Sequence, residues 1–280
     1  MKIHGTAKGG AISKKDFGVA FGEAGGVDPV YESGIGSSGD ATLTGGFSLS
    51  ESVYKLGTGS VFFDGTDGCA TANGVATVPA MTTAGTLSCW FNAASLTFNN
   101  NRILWSFGDT NGDEYLRTAF LNAGGAPNLL DVIAVVSDGA TKWQVFTPDN
   151  SISGSDSYTT WHLFTLTQNA TAPVFYIDGS VVTPDFKDET DKTVWVSDMS
   201  GLDNFTIACR NFDDLGNSAF SKTYIDDFGI WNRALSSSEV SDLWNGGSGN
   251  LCSTITDGLR VYYNMDSVDD DKLVNQAIPP

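Results

Sequence analysis

Carboxylates are the groups with which this sequence could do chemistry. Asp and Glu number 33 against 15 Lys and Arg, for a formal net charge of −18. Oxygen ligands of this kind suit hard divalent cations. Paired on one strand face, carboxylates also suit the acid and nucleophile roles of glycoside hydrolysis. No segment has that paired spacing, because Glu32, Glu51, Glu114, Glu189 and Glu239 are scattered. Asp109-Thr-Asn-Gly-Asp-Glu114 lacks the spacing and distal Glu of a calcium loop and reads as a turn. The histidines are His4 and His162, and His162 alternates with Phe164 and Leu166 as a packed strand residue does. There is no G-x-S-x-G nucleophile turn. The residues point away from an enzyme, and so acidic a surface repels phosphate backbones and disfavours nucleic acid.

Cys69, Cys89, Cys209 and Cys252 form no C-x-x-C and keep no His cluster, which argues against zinc. Cys89 and Cys209 lie in apolar strand-like runs and read as buried free thiols, with two disulfides left open. No 18-residue apolar run exists, so no membrane insertion is expected. The N-terminus is basic without an apolar core, unlike a Sec signal peptide. Asn169-Ala-Thr171 and Asn204-Phe-Thr206 fit the glycosylation pattern and read here as turn and strand residues.

Short apolar runs between many glycines predict an all-β chain. Ile103, Trp105 and Phe107 alternate, Leu130–Val136 is apolar on both faces, and Asp178-Gly179 between apolar runs signals a hairpin. Ser236 and Glu239 have capping-box spacing, Leu235 and Val240 that of a hydrophobic staple. Val240, Leu243 and Trp244 share a helical face, and Gly246-Gly247 mark its end.

Ile225-Asp-Asp-Phe-Gly-Ile-Trp-Asn-Arg-Ala-Leu-Ser-Ser-Ser-Glu-Val240 resembles the closing motif of the laminin-G-like, concanavalin A-like lectin superfamily, of the type found in phage and viral structural proteins. Phe63-Asp-Gly65, Ser88-Cys-Trp90, Tyr176-Ile-Asp-Gly179 and Phe205-Thr-Ile207 resemble its earlier strands, so that the likeness runs over about residues 50 to 248. It implies an antiparallel β-sandwich, a concanavalin A-like jelly roll, with one short C-terminal-side helix. Residues 1–45 form a Gly-rich arm, 46–248 the sandwich, and 249–280 an extension with one strand. That strand, Gly258-Leu-Arg-Val-Tyr-Tyr-Asn-Met-Asp266, resembles the one that opens such a domain, yet it comes last. Two uses are open to it: completing its own sandwich, or pairing with another copy.

The resemblance further implies a rim Ca²⁺, with Asp226 and Asp227 at the matching acidic positions and Asp64 and Asp67 next. Adjacent strand residues point to opposite faces, so Asp226 and Asp227 share one ion only across a bulge. It also implies glycan binding, for which Trp143 and Trp195 are the stacking candidates, core packing being the alternative. The Glu-x-Asp-x-x-Glu strand of glycosidases sharing this sandwich is missing. The expected protein is a non-enzymatic virion surface subunit, decorating a capsid or associated with a tail, a homo-oligomer in assembly. Its arms would contact other virion subunits and its surface host glycans. The alternative is a Ca²⁺-dependent carbohydrate-binding module of a secreted or cell-surface protein.

Overall fold

The computed structural model describes residues 39–76, 83–93, 102–123, 126–135, 139–147, 160–212 and 214–277. The Gly-rich arm therefore lies outside the described residues, apart from its last seven. Seventeen strands follow in chain order among the described residues: β1 (Ala41–Thr44), β2 (Phe47–Ser50), β3 (Ser60–Asp64), β4 (Cys69–Thr71), β5 (Ala84–Ala93), β6 (Arg102–Gly108), β7 (Tyr115–Ala123), β8 (Ala126–Val135), β9 (Thr141–Phe146), β10 (His162–Asn169), β11 (Pro173–Ile177), β12 (Ser180–Val182), β13 (Asp185–Asp188), β14 (Asn204–Ile207), β15 (Lys222–Trp231), β16 (Leu259–Tyr263) and β17 (Lys272–Leu273). One sheet runs β13-β9-β8-β7-β6-β14-β4-β1-β17, the other β12-β11-β10-β5-β15-β3-β2 with β16 added beside β15, and every pairing is antiparallel. This is the sandwich expected from the alternating runs.

Alternation puts Val61, Phe63, Leu87, Phe91, Phe107, Phe164, Phe205 and Ile225 between the sheets, where they form the main core. A second apolar layer covers the outer face of the eight-stranded sheet. There Trp90, Leu163 and Tyr176 pack under Val240, Leu243, Cys252, Leu259 and Tyr262. Helix α2 (Ser237–Trp244), which follows the single-turn α1 (Asn73–Ala76), supplies part of that cover. Its cap is the one the sequence predicts: Ser236 Oγ accepts from the Glu239 amide and Glu239 accepts from the Ser236 amide. Asn245, rather than a glycine, takes the left-handed C-cap at φ 46°.

The C-terminal segment completes its own sandwich. β16 pairs with the second half of β15, and β17 pairs with β1. The Asn275 amide donates to Asp40 Oδ1 at 2.9 Å, and the Tyr263 hydroxyl donates to the Gly39 carbonyl. The sandwich thus takes in β1 on its N-terminal side and β16 and β17 on its C-terminal side. A boundary at 45/46 cuts it beside β1, and one at 248/249 removes two strands from it. The reason is physical: Leu259, Val261 and Tyr263 need a sheet to cover, and β15 has a free side for them from Phe228 onward.

The turn before β4 is packed too tightly for a side chain. A Cβ added at Gly68 would lie 2.3 Å from the Gly46 carbonyl oxygen, a backbone atom that cannot rotate away. Gly68→Ala is expected to cost about 1–3 kcal/mol. A fall in the denaturation midpoint at constant m-value checks this.

Candidate functional site

The adjacent acids sit at a break in β15. Residues Lys222–Ile225 pair with β3 on one side, and Phe228–Trp231 pair with β16 on the same side. Against β5 the register runs Asp226↔Trp90 and then Gly229↔Ser88, so β15 carries one extra residue there. Asp227 takes φ 47° to make that bulge. Both carboxylates consequently bond to segments that cover the outer face of the eight-stranded sheet. Asp226 Oδ2 accepts from the Lys55 and Leu56 amides at 2.7 and 2.9 Å. Asp227 Oδ2 accepts from the Cys252 amide at 2.8 Å. Asp266 accepts from the Thr58 and Gly59 amides. Two carboxylates of β15 thus staple covering segments to the sheet, and Asp266, beyond the end of β16, holds the stretch that leads into β3.

Neither acid reaches solvent: Asp226 is 0% and Asp227 1% exposed. Burial pushes Asp226 up to about 7, against the pull of its two amide donors, and Asp227 up to about 6, against the thiol and amide of Cys252. Each keeps one oxygen, Oδ1, without a hydrogen-bond partner among the described residues. These folded-state values lie above the ordinary carboxylate value of 3.8. The folded chain therefore holds protons that the unfolded chain has released, and stability is lost as pH rises through 6 and 7. Thermal unfolding is expected at a lower temperature at pH 8 than at pH 5. Asp226→Asn, which keeps an acceptor for both amides, should flatten that slope.

Asp64 and Asp67 serve a different purpose. Burial raises the Asp64 carboxyl, but the amides of Thr66, Asp67 and Gly68 on its Oδ1 outweigh this and hold it below its ordinary value. Asp67 Oδ1 accepts from the Gly46 amide at 2.7 Å. The pair binds the β1–β2 turn to the turn after β3. Both acidic pairs are tied to backbone amides. No group of three or more His, Cys, Asp or Glu side chains converges among the described residues, and Ca²⁺ asks for six to eight oxygens.

Trp143 and Trp195 do not stack on sugars, because both are 0% exposed. Trp143 lies in β9 with Val145 on its own face, its indole N–H donating to the Val194 carbonyl at 2.9 Å. Trp195 belongs to the same core. His162 packs against Phe91, as its alternation predicts. Its Nδ1 meets Asp178 Oδ2 at 2.8 Å and its Nε2 meets Thr160 Oγ1 at 3.1 Å. Asp178 gives its other oxygen to the Leu163 amide, so this chain of groups clamps the β11–β12 turn to β10.

The rings left open are ones the sequence did not single out. On the outer face of the eight-stranded sheet, Ser48, Phe62, Tyr224 and Asn92 form one row across β2, β3, β15 and β5. The rings of Phe62 and Tyr224 lie 4.8 Å apart at 43° and both are half-buried. Trp161, half-buried and packed on the outer apolar layer, directly precedes His162, the register partner of Phe91. The signal was present in the sequence: with Val61 and Phe63 inward, Phe62 must face out.

The disulfide pairing corrects one expectation. Cys209, two residues past the end of β14, is bonded to Cys69 in the neighbouring β4, while Cys89 and Cys252 are buried free thiols.

Comparison with known proteins agrees with this architecture. No curated protein matches the chain in sequence. Among solved structures it resembles the receptor-binding domain of botulinum neurotoxin type G (15% identity, TM-score 0.51, 74% of this chain and 46% of that one). It also resembles the receptor-binding domain of a C/D mosaic serotype (16%, 0.52, 75% and 47%). A third likeness is to a type C neurotoxin structure (16%, 0.52, 74% and 46%) described with cell entry dependent on two ganglioside molecules. The chain spans about half the length of these structures, and at such identity the likeness shows the fold alone. The family model described as the concanavalin A-like lectin/glucanases superfamily matches residues 63–241, well over half of the sequence. The chain therefore belongs to the concanavalin A-like lectin/glucanases superfamily.

Proposed function

We propose that this chain is a non-enzymatic surface protein of a virus particle, a capsid-decoration or tail-associated subunit whose sandwich contacts host glycans. The observation that carries the reading is a contrast. The adjacent carboxylates are walled in and tied to backbone amides, while a pair of half-buried rings, Phe62 and Tyr224, faces outward on the outer sheet face. The arrangement is that of a surface that binds rather than one that cleaves. The Cys69–Cys209 bond fits surroundings outside a reducing cytosol. Lectin-type superfamily membership and likeness to receptor-binding domains support the same reading. The C-terminal strands are used within the subunit, which leaves the N-terminal arm for assembly.

Two measurements test this. Antibody to the sandwich should label the outside of intact particles, and labelling only of disrupted ones would remove the surface assignment. A glycan array run with Ca²⁺ and again with chelator should give the same binding in both, since the acidic pairs are committed to amides. Binding lost on chelation would favour a Ca²⁺-dependent carbohydrate-binding module instead.

A further inference from the structure

We infer that the row Ser48, Phe62, Tyr224 and Asn92 is the glycan subsite, and that it takes an uncharged, linear oligosaccharide lying across the strands. This rests on the glycan-contact reading above and adds the place and the ligand class.

Three features of the row carry the inference. The first is its rings. Phe62 and Tyr224 stand side by side on adjacent strands, each with part of its ring open. Aromatic faces suit the C–H faces of pyranose rings, which bury apolar area without needing a charge. Successive strands are about 4.8 Å apart, so a row running across them offers successive footholds to a chain of sugars.

The second feature is unspent hydrogen-bonding capacity. Asn92 is 9% exposed, yet among the described residues its side-chain amide has no hydrogen-bond partner. A nearly buried amide with nothing to bond costs free energy unless a ligand or water satisfies it. Its two donors and one acceptor match sugar hydroxyls, which both give and accept. The Tyr224 hydroxyl and the Ser48 hydroxyl are likewise unpartnered among the described residues, so the row has polar groups at both ends of the ring pair.

The third feature is charge. The row holds no Arg and no Lys. Lys222, two residues from Tyr224 along β15 and so on the same face, stands opposite Asp64, its register partner, whose carboxyl stays ionised. Lys55 spends its ammonium on the Gly247 carbonyl and the Trp90 ring. With −18 on the whole chain, sialylated or sulfated sugars meet repulsion and no guanidinium to hold them.

The test uses the full chain and two sets of probes: neutral linear tetrasaccharides of β-1,4-glucan, β-1,4-mannan and chitin, and their sialylated or sulfated counterparts among other anionic glycans. Binding is read by calorimetry beside a thermal melt. At least one neutral probe should bind, and Phe62→Ala and Tyr224→Ala should each weaken it about tenfold or more. Asn92→Ala should weaken it similarly, and Lys222→Ala should change it less than threefold. A melt within a few degrees of the parent shows that a variant is folded. Tyr224→Phe keeps the ring and serves as the second variant if Tyr224→Ala unfolds; it should retain most of the affinity. Neutral binding untouched by the row variants would overturn the location and leave the glycan-contact function standing. Preference for anionic probes, lost with Lys222→Ala, would overturn the ligand class. No binding to any probe would overturn the inference together with the glycan part of the proposed function.

Discussion

Removing residues 259–277 is expected to leave a chain with no cooperative unfolding transition. The segment buries Leu259, Val261, Tyr262, Tyr263, Met265 and Leu273, each 5% exposed or less. Truncating one large core side chain costs about 2–5 kcal/mol. Losing six exceeds the roughly 5–15 kcal/mol by which a native domain is stable. The loss also bares one side of β15 from Phe228 to Trp231 and the edge of β1. Near-ultraviolet circular dichroism and a denaturant titration check this. A folded monomer with the parent's midpoint would show that the two strands are ornaments. A rearranged chain, in which residue 277 is joined to residue 39 and the opening is moved to 248–258, should fold, since every pairing is kept. That contrast separates loss of contacts from loss of chain order.

The second large effect concerns the Cys69–Cys209 bond, which closes a loop of 140 residues. A cross-link of that span removes chain entropy from the unfolded state worth about 5 kcal/mol, and native bonds typically give about 2–5. Cys69→Ser with Cys209→Ser should lower the melting temperature by about 10 °C. Reductant should shift the parent by a similar amount and leave the double variant unmoved. Thiol counting after denaturation without reductant should find two thiols, Cys89 and Cys252, whose burial keeps both pushed up and unreactive in the folded chain. Four titrating thiols would overturn the pairing.

What could be read from the sequence was local. The Ser236–Glu239 cap needs three residues of spacing, and the Asp178-Gly179 turn needs two positive φ angles, found at 53° and 72°. The long-range facts were harder to read. Nothing in Ile225-Asp-Asp-Phe228 marks which acid takes the left-handed bulge, because the two strands competing for that side of β15 lie far off on either side in the sequence. The Cys69–Cys209 pairing depends on which strands become neighbours. Trp143 looked polar because Lys142 and Gln144 flank it, yet strict alternation with Val145 already placed it inward. Trp195 offered no such pattern, since it leads into a short 3₁₀ turn (Val196–Asp198) rather than standing in a strand. The laminin-G-like resemblance supplied the fold, and with it the expectation that acids at matching positions hold a cation. In this chain those acids hold amides.

The pairing of β1 with β17 also has a consequence for how the protein is made. Ala41 meets Leu273, so one of the first strands of the sandwich waits for almost the last. During synthesis β1 leaves the ribosome early and its neighbour leaves late. Until then β15 also lacks half of one side, and the nascent chain carries exposed strand edges for the time it takes to add the intervening residues. Contacts this distant in sequence fold slowly. The edges that β16 and β17 cover in the finished sandwich are thus left bare until the last stretch of the chain has emerged.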